Sequence, residues 1–243
     1  MGAGMDALTW RIGLIIFLAA FTESLSGFGV ALVAMALLPL LISLRLATPL
    51  VAVLSIFVDS SVFLRYRQAL DLRAIWRVAL ATLFGIPLGL YFLSNLDERV
   101  TLTLLGIVLT LYALYSLLGK QLPPLTHPFW AYLAGFLGGL LGGAYNTFGP
   151  PVILYADSRA WPPKIFKSNL SGYFVLCSVV VLVSHALEGN LTPQVMHMFW
   201  SSLPFMLFGL LAGFSLDRWL SPETFRRLVL VLLVLMGLRL FFN

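Results

Sequence analysis

The stretch Thr22-Glu23-Ser24-Leu25-Ser26-Gly27-Phe28-Gly29 is polar and glycine-bearing, yet it lies inside an apolar run over residues 11–43. A second such stretch, Gly142-Gly143-Ala144-Tyr145-Asn146-Thr147-Phe148-Gly149 followed by Pro150-Pro151, interrupts the apolar run over residues 128–156. Backbone that leaves the helix inside a bilayer must find its hydrogen bonds in protein or in trapped water. Paired interruptions at corresponding places in two halves of a chain point to the substrate site of a transporter.

Working outward from these breaks, the rest of the chain reads as membrane. Of its 243 residues, 60% are hydrophobic and 10% charged, which is the composition of a polytopic membrane protein. No polar stretch is long enough for a separate soluble domain. The single cysteine, Cys177, sits in an apolar run and excludes an internal disulfide. A net charge of +5, carried by basic residues beside apolar spans, is a topology signal and excludes a nucleic-acid partner. Asp6 precedes the first basic residue, Arg11, so the cationic start of a cleaved signal is missing and the first run is expected to be retained.

Six runs, 46–64, 74–94, 99–118, 165–187, 194–216 and 225–242, have the ~20-residue length of one membrane helix. The two broken runs divide into pieces of roughly 15 residues, about 22 Å of helix, short of the ~30 Å hydrocarbon core. Each piece pair is therefore a bent span or a hairpin that enters and leaves by one face. Charge placement favours hairpins. With both runs re-entrant, 11 basic residues face one side (Arg65, Arg67, Arg73, Arg77, Lys120, Arg159, Lys164, Lys167, Arg218, Arg226, Arg227) and 4 the other (Arg11, Arg45, Arg99, Arg239). With both runs crossing, the split is an uninformative 7 against 8.

The halves also echo each other. Phe28-Gly29 matches Phe148-Gly149, Thr48 matches Ser168, and the Gly85/Gly89 pair matches Gly209/Gly213. One hairpin plus three crossings per half forces opposite orientations. The expected fold is an all-α polytopic membrane protein with two inverted repeats, each a broken re-entrant helix hairpin plus three transmembrane helices. The first repeat covers 1–120 (hairpin 11–43) and the second 121–243 (hairpin 128–156), together one membrane domain. Both termini are expected outside an inner cell membrane. Glycines at four-residue spacing, including Gly135, Gly139 and Gly143, are read as close helix contacts.

Chemistry is expected at the breaks. Asn146 or Thr147 can cap a half-helix that starts near Phe148, with Pro150 and Pro151 in its first turn. Ser24 or Ser26 plays that part in the first break, and Gly27 lets backbone approach a ligand. Two half-helix N-termini meeting at mid-depth favour a small anion. The substrate-binding set is Ser24, Ser26, Gly27, Phe28, Tyr145, Asn146, Thr147, Phe148 and Gly149. Glu23 and Asp59 are acids within apolar runs, hence candidates for coupling or gating. Lys167, near the inner face, is a third. Arg65 and His185 read as interfacial snorkelling residues.

With the hairpins in view, the chain resembles the sulfite exporter TauE/SafE family of membrane transporters. The likeness rests on Ser26-Gly27-Phe28-Gly29, Ala47-Thr48 and Arg65-Tyr66-Arg67-Gln68-Ala69-Leu70-Asp71. The paired Gly85/Gly89 and Gly209/Gly213, and Gly138-Gly139/Gly142-Gly143, complete it. The resemblance implies export of sulfite, sulfonates and related small sulfur-containing anions. Asn146-Thr147 and Pro150-Pro151 match no motif of that family. Catalysis is not expected: Ser24-Leu25-Ser26-Gly27 lacks the first glycine of the rhomboid Gly-x-Ser-Gly, and no His-Glu-x-x-His or cysteine cluster supports a metal. An anion channel built on the same hairpins is the remaining alternative. No cofactor is expected beyond a coupling H+ or Na+. The expected partners are the anion, the lipid bilayer and a second copy of the chain in a homodimer.

Overall fold

The structure, a computed structural model, describes residues 2–119, 122–216 and 222–241. Lys120, Arg218, residue 242 and the repeat boundary between 120 and 121 lie outside the described residues. Within these residues the chain is all-helical: α1 Gly2–Ser26, α2 Val30–Leu37, α3 Leu44–Tyr66, α4 Leu72–Asn95, α5 Glu98–Leu117, α6 Pro128–Tyr145, α7 Gly149–Ser158, α8 Pro163–Leu187, α9 Pro193–Leu216 and α10 Pro222–Phe241. Six of them, α1, α3, α4, α5, α8 and α9, contain stretches long and apolar enough to cross a membrane. The chain is an integral membrane protein. Its outer girdle is apolar and aromatic, with Trp10, Trp76, Phe84, Tyr91, Trp200 and Phe208 exposed where lipid tails would lie.

Both long apolar runs stop being helical at the polar stretches. The first helix gives way at Gly27-Phe28-Gly29, with φ of +84° at Gly27 and +126° at Gly29. The second gives way at Asn146-Thr147-Phe148, with Asn146 at φ +55°. Only glycine, and less often asparagine, takes such angles without a steric penalty. The two helix ends close alike: Gly27 N donates to Glu23 O and Asn146 N to Gly142 O, each at 2.7 Å. The arms are less equal than the expected 15-residue pieces. α1 has 25 residues and α6 18, whereas α2 has 8 and α7 10. Hydropathy marks the lipid-facing part of a helix, not its end, and nothing in Gly2–Trp10 stops α1.

Contacts between helix ends fix the directions. Leu44 N donates to Glu98 Oε1 at 2.7 Å, placing the starts of α3 and α5 together at what we term the first end. Asp71 N donates to Asn169 Oδ1 at 2.8 Å, which sets the start of α4 beside the start of α8 at the second end. The Arg65 guanidinium lies over the Phe214 ring at 4.7 Å, bringing the last turns of α3 and α9 together there. α1 runs parallel to α9, with Gly13 against Phe205, Gly209 against Phe17 and Gly213 against Phe21 and Ser24. α6 runs parallel to α4, with Gly135 against Val78, Gly139 against Thr82 and Gly89 against Leu140 and Ala144. α1 therefore starts at the end where α3 starts, and α6 at the end where α4 and α8 start.

Four helix pairs dominate the packing: α4 with α6, α1 with α9, α5 with α10, and α3 with α8. The glycines at four-residue spacing sit in the first two of these seams, where a Cβ would strike backbone of the opposing helix. That is the close approach small residues permit between membrane helices.

Candidate functional site

Residues of both breaks line one cavity. Glu23, Phe28, Gly29 and Val30 come from the first; Asn146, Thr147, Phe148 and Gly149 come from the second. Ser55 and Asp59 of α3 and Phe174 and Ser178 of α8 complete the wall. Its free volume is about 20 Å³. The starts of α2 and α7 therefore converge here, each bringing roughly half a positive charge.

The first of these starts is already occupied by the chain itself. Glu23 Oε2 accepts from Val30 N at 2.7 Å, so the carboxylate of α1 caps α2 across the break. The Glu23 and Asp59 carboxyl groups face each other in hydrogen-bonding range. Ser178 Oγ donates to Asp59 Oδ2 at 2.6 Å. Asn146 Nδ2 donates to Ser55 Oγ at 3.0 Å, which leaves Asn146 Oδ1 free. Three buried oxygens of the cavity lining have no hydrogen-bond partner: Glu23 Oε1, Asn146 Oδ1 and Thr147 Oγ1. No Lys, Arg or His lines the cavity.

The structure separates the sequence candidates into two groups. Phe28, Asn146, Thr147, Phe148 and Gly149, with Glu23 and Asp59, meet at the cavity. Ser24, Ser26, Gly27, Tyr145 and Lys167 lie outside its lining. Ser24 faces Gly213 of α9 and donates to Phe21 O at 2.9 Å. Ser26 ties the first break to itself, donating to Thr22 O at 2.8 Å and bonding the Phe28 backbone. Gly27 backs onto Lys167, where a Cβ would lie 2.9 Å from the lysine Cγ. Lys167 Nζ donates to Leu25 O at 2.9 Å and sits over the Tyr66 ring at 5.1 Å. It thus compensates the negative end of α1 as Glu23 compensates the positive end of α2. Tyr145 is buried at the last position of α6.

Ser55, Phe174 and Ser178 were not anticipated. A signal existed for them: Ser55 and Asp59, and likewise Phe174 and Ser178, are four residues apart and share a helix face.

A second polar recess lies at the first end, lined by Arg45, Thr48, Leu93, Ser94, His185 and Asn190, with a volume of about 180 Å³. His185 is fully buried rather than snorkelling. Asn190 Nδ2 lies 3.1 Å from His185 Nδ1; as the amide nitrogen is the donor, the ring proton belongs on Nε2. Nε2 has no partner. One recess thus presents an unused ring donor, whereas the central cavity presents unused carboxylate and amide oxygens beside the Thr147 hydroxyl.

Comparison with known proteins agrees with this architecture. The family model described as "Sulfite exporter TauE/SafE" matches residues 12–240. The chain is 28% identical over 179 residues to "Probable inner membrane transporter protein TsaS" of Comamonas testosteroni, covering 73% of this chain and 74% of that protein. It is 27% identical over 175 residues to "Probable sulfite/organosulfonate exporter TauE" of Cupriavidus necator, covering 70% and 68%. No solved structure matches it. With the match running through both breaks and every long helix, the chain belongs to the sulfite exporter TauE/SafE family of membrane transporters.

Proposed function

We propose that this protein is a secondary transporter that exports small sulfur-containing anions, such as sulfite or sulfonates, by alternating access around two re-entrant hairpins. The observation that carries the reading is the meeting of both helix breaks at one buried cavity that also holds two carboxyl groups. Family membership and the relative named as a sulfite/organosulfonate exporter supply the substrate class.

The inverted repeat has its support in the packing. Exchanging α1–α5 for α6–α10 turns the α4–α6 pair into α9–α1 and leaves α5–α10 and α3–α8 unchanged as pairs. The hairpins start from opposite ends, as an inverted repeat requires. In this reading the first end faces outside and carries both termini, and the positive-inside bias sets the second end in the cytoplasm.

The anion is drawn to the start of α7, where Asn146, Thr147 and the backbone at Phe148 and Gly149 face the cavity. At α2 the Glu23 carboxylate holds the equivalent place, so anion access there requires Glu23 to be neutralised or displaced. The Arg45–His185 recess, with its free Nε2 donor, serves as the anion's way-station at the outer end. Ser24, Ser26 and Gly27 shape the first break, and Lys167 steadies it.

A thermal-shift screen of sulfite, sulfonates, thiosulfate and carboxylates tests the substrate class; carboxylates alone stabilising the protein would overturn it. Flux in proteoliposomes tests the mechanism: saturation with counterflow exchange is expected, whereas ohmic single-channel current marks a pore. Asn146→Ala and Thr147→Ala are each expected to weaken anion binding about fivefold, one hydrogen bond of roughly 1 kcal/mol, with assembly intact. Normal affinity in both would remove the second break from the anion path. His185→Ala is expected to raise the half-saturating anion concentration at the outer face by about tenfold, the loss of one charge-assisted or buried donor. An unchanged value would reduce the recess to a structural feature.

A further inference from the structure

The oxygens around the central cavity point inward with nothing to bind. Glu23, Asn146 and Thr147 are 1%, 2% and 1% exposed, and Glu23 Oε1, Asn146 Oδ1 and Thr147 Oγ1 are all unpartnered. The Asp59 carboxyl and the Ser55 hydroxyl join them. Three nearby donors are committed elsewhere: Asn146 Nδ2 to Ser55, Ser178 Oγ to Asp59, Val30 N to Glu23. What faces the space is carboxylate, amide and hydroxyl oxygen.

A proton shared between the two carboxyls would settle neither Asn146 Oδ1 nor Thr147 Oγ1. A water could donate to Glu23 Oε1 and Asn146 Oδ1 and accept from Thr147, but it would leave the carboxylate charge uncompensated. A small hard cation can satisfy every oxygen at once, as such ions take carboxylate, amide and hydroxyl oxygens together. The space suits an ion. About 20 Å³ exceeds the ~10–15 Å³ that one water-sized body needs.

Charge selects the valence. With both carboxyls ionised, the two half-helix starts, worth about half a charge each, leave about one negative charge over. One monovalent cation brings the sum close to zero. An anion at the start of α7 then needs the cation beside it, since without one the site would turn strongly negative in a medium where charge is costly. Among the described residues, no group of three or more His, Cys, Asp or Glu residues could hold a metal ion.

We infer that the cavity between the two breaks is a sodium site, formed by Glu23, Asp59, Asn146, Thr147 and Ser55, and that sodium is the coupling ion of the transport cycle. The coupling half of this statement rests on the transport reading above; the binding half does not. The ion joins the first break and α3 to the second break. With it bound, Glu23 and Asp59 can stay together. Without it, their repulsion favours moving the first break away from α3, which couples occupancy to opening.

The test is a melting series on the purified full chain in detergent, with sodium exchanged for potassium or choline at constant ionic strength. The expected result is a saturable rise in Tm with sodium, absent with potassium. It should be lost in Asp59→Asn and in the milder Thr147→Val, with both variants matching wild type in choline and in size-exclusion profile. Radiolabelled sodium should bind at a single site and be displaced by unlabelled sodium. No sodium-specific rise overturns the site, as does a rise governed by pH alone, which marks a proton instead. Two outcomes separate this inference from the transport reading. Sulfite or sulfonate flux without any sodium effect sinks the coupling half and leaves the transport reading. Sodium binding with no anion transported keeps the site and sinks the transport reading.

Discussion

Glu23→Gln is expected to uncouple transport while leaving the fold intact. Glutamine keeps an oxygen that can accept from Val30 N, the bond by which Glu23 caps α2 across the first break. What it removes is one of the two charges that face each other in the cavity. The remaining carboxylate is then balanced by the two half-helix starts alone, and a cation no longer improves the sum. Coupling free energies of roughly 1–3 kcal/mol correspond to about 5–150-fold, and an effect of that size is expected to vanish. In proteoliposomes the variant should show anion flux that no longer responds to a sodium or pH gradient. A gradient response equal to wild type would take Glu23 out of the coupling machinery. Glu23→Ala is the poorer choice. It strands Val30 N–H, a buried donor whose desolvation costs about 1–3 kcal/mol, and so confounds coupling with folding.

Gly89→Val is expected to prevent assembly. A Cβ at Gly89 would land on the Leu140 carbonyl oxygen and lie 2.8 Å from Ala144 N, both backbone atoms of α6. Backbone cannot rotate away as a side chain can, so α4 and α6 must separate. Overpacking a tight seam costs about 1–3 kcal/mol even where side chains can adjust; a backbone collision along the α4–α6 seam costs more. The damage also reaches the site, because α6 positions Asn146 and Thr147. The expected readout is a large fall in Tm or loss of the monodisperse species in detergent. Gly119→Asn is the matched control: Gly119 has φ +63° and open space around it, and asparagine tolerates that angle. If Gly89→Val melted like wild type, the close seam would not hold the fold together.

Several residues that line the cavity were visible in the sequence, for reasons that can be named. Glu23 and Asp59 stood out because an acid in an apolar run must be paired or functional. The breaks stood out because glycine and asparagine at such positions permit left-handed backbone. Ser24, Ser26 and Lys167 were placed nearby correctly in sequence but not in space. At the end of a helix, 100° per residue decides whether a hydroxyl meets a cavity or a neighbouring helix, and Ser24 turned toward Gly213. His185 was misread because hydropathy cannot tell a helix end at the lipid interface from one buried under Asn190.

By itself, the sequence determined that this is a membrane protein of the TauE/SafE family, that its helices break at two polar, glycine-bearing stretches, and that two acids lie at membrane depth. Composition, turn chemistry and the cost of burying charge are local properties, so they can be read along the chain. Only the tertiary structure decided that the breaks share one cavity, that Glu23 caps α2, and that Ser55 and Ser178 complete the wall. The physical reason is that α3 and α8 carry small polar residues on more than one face, Ser60 and Ser61 besides Ser55, and Ser184 besides Ser178. Isolated polar residues scattered round a mostly apolar helix do not say which face turns inward. That choice is made by glycine seams on other helices, which set how closely the elements approach and hence which oxygens are left facing one another.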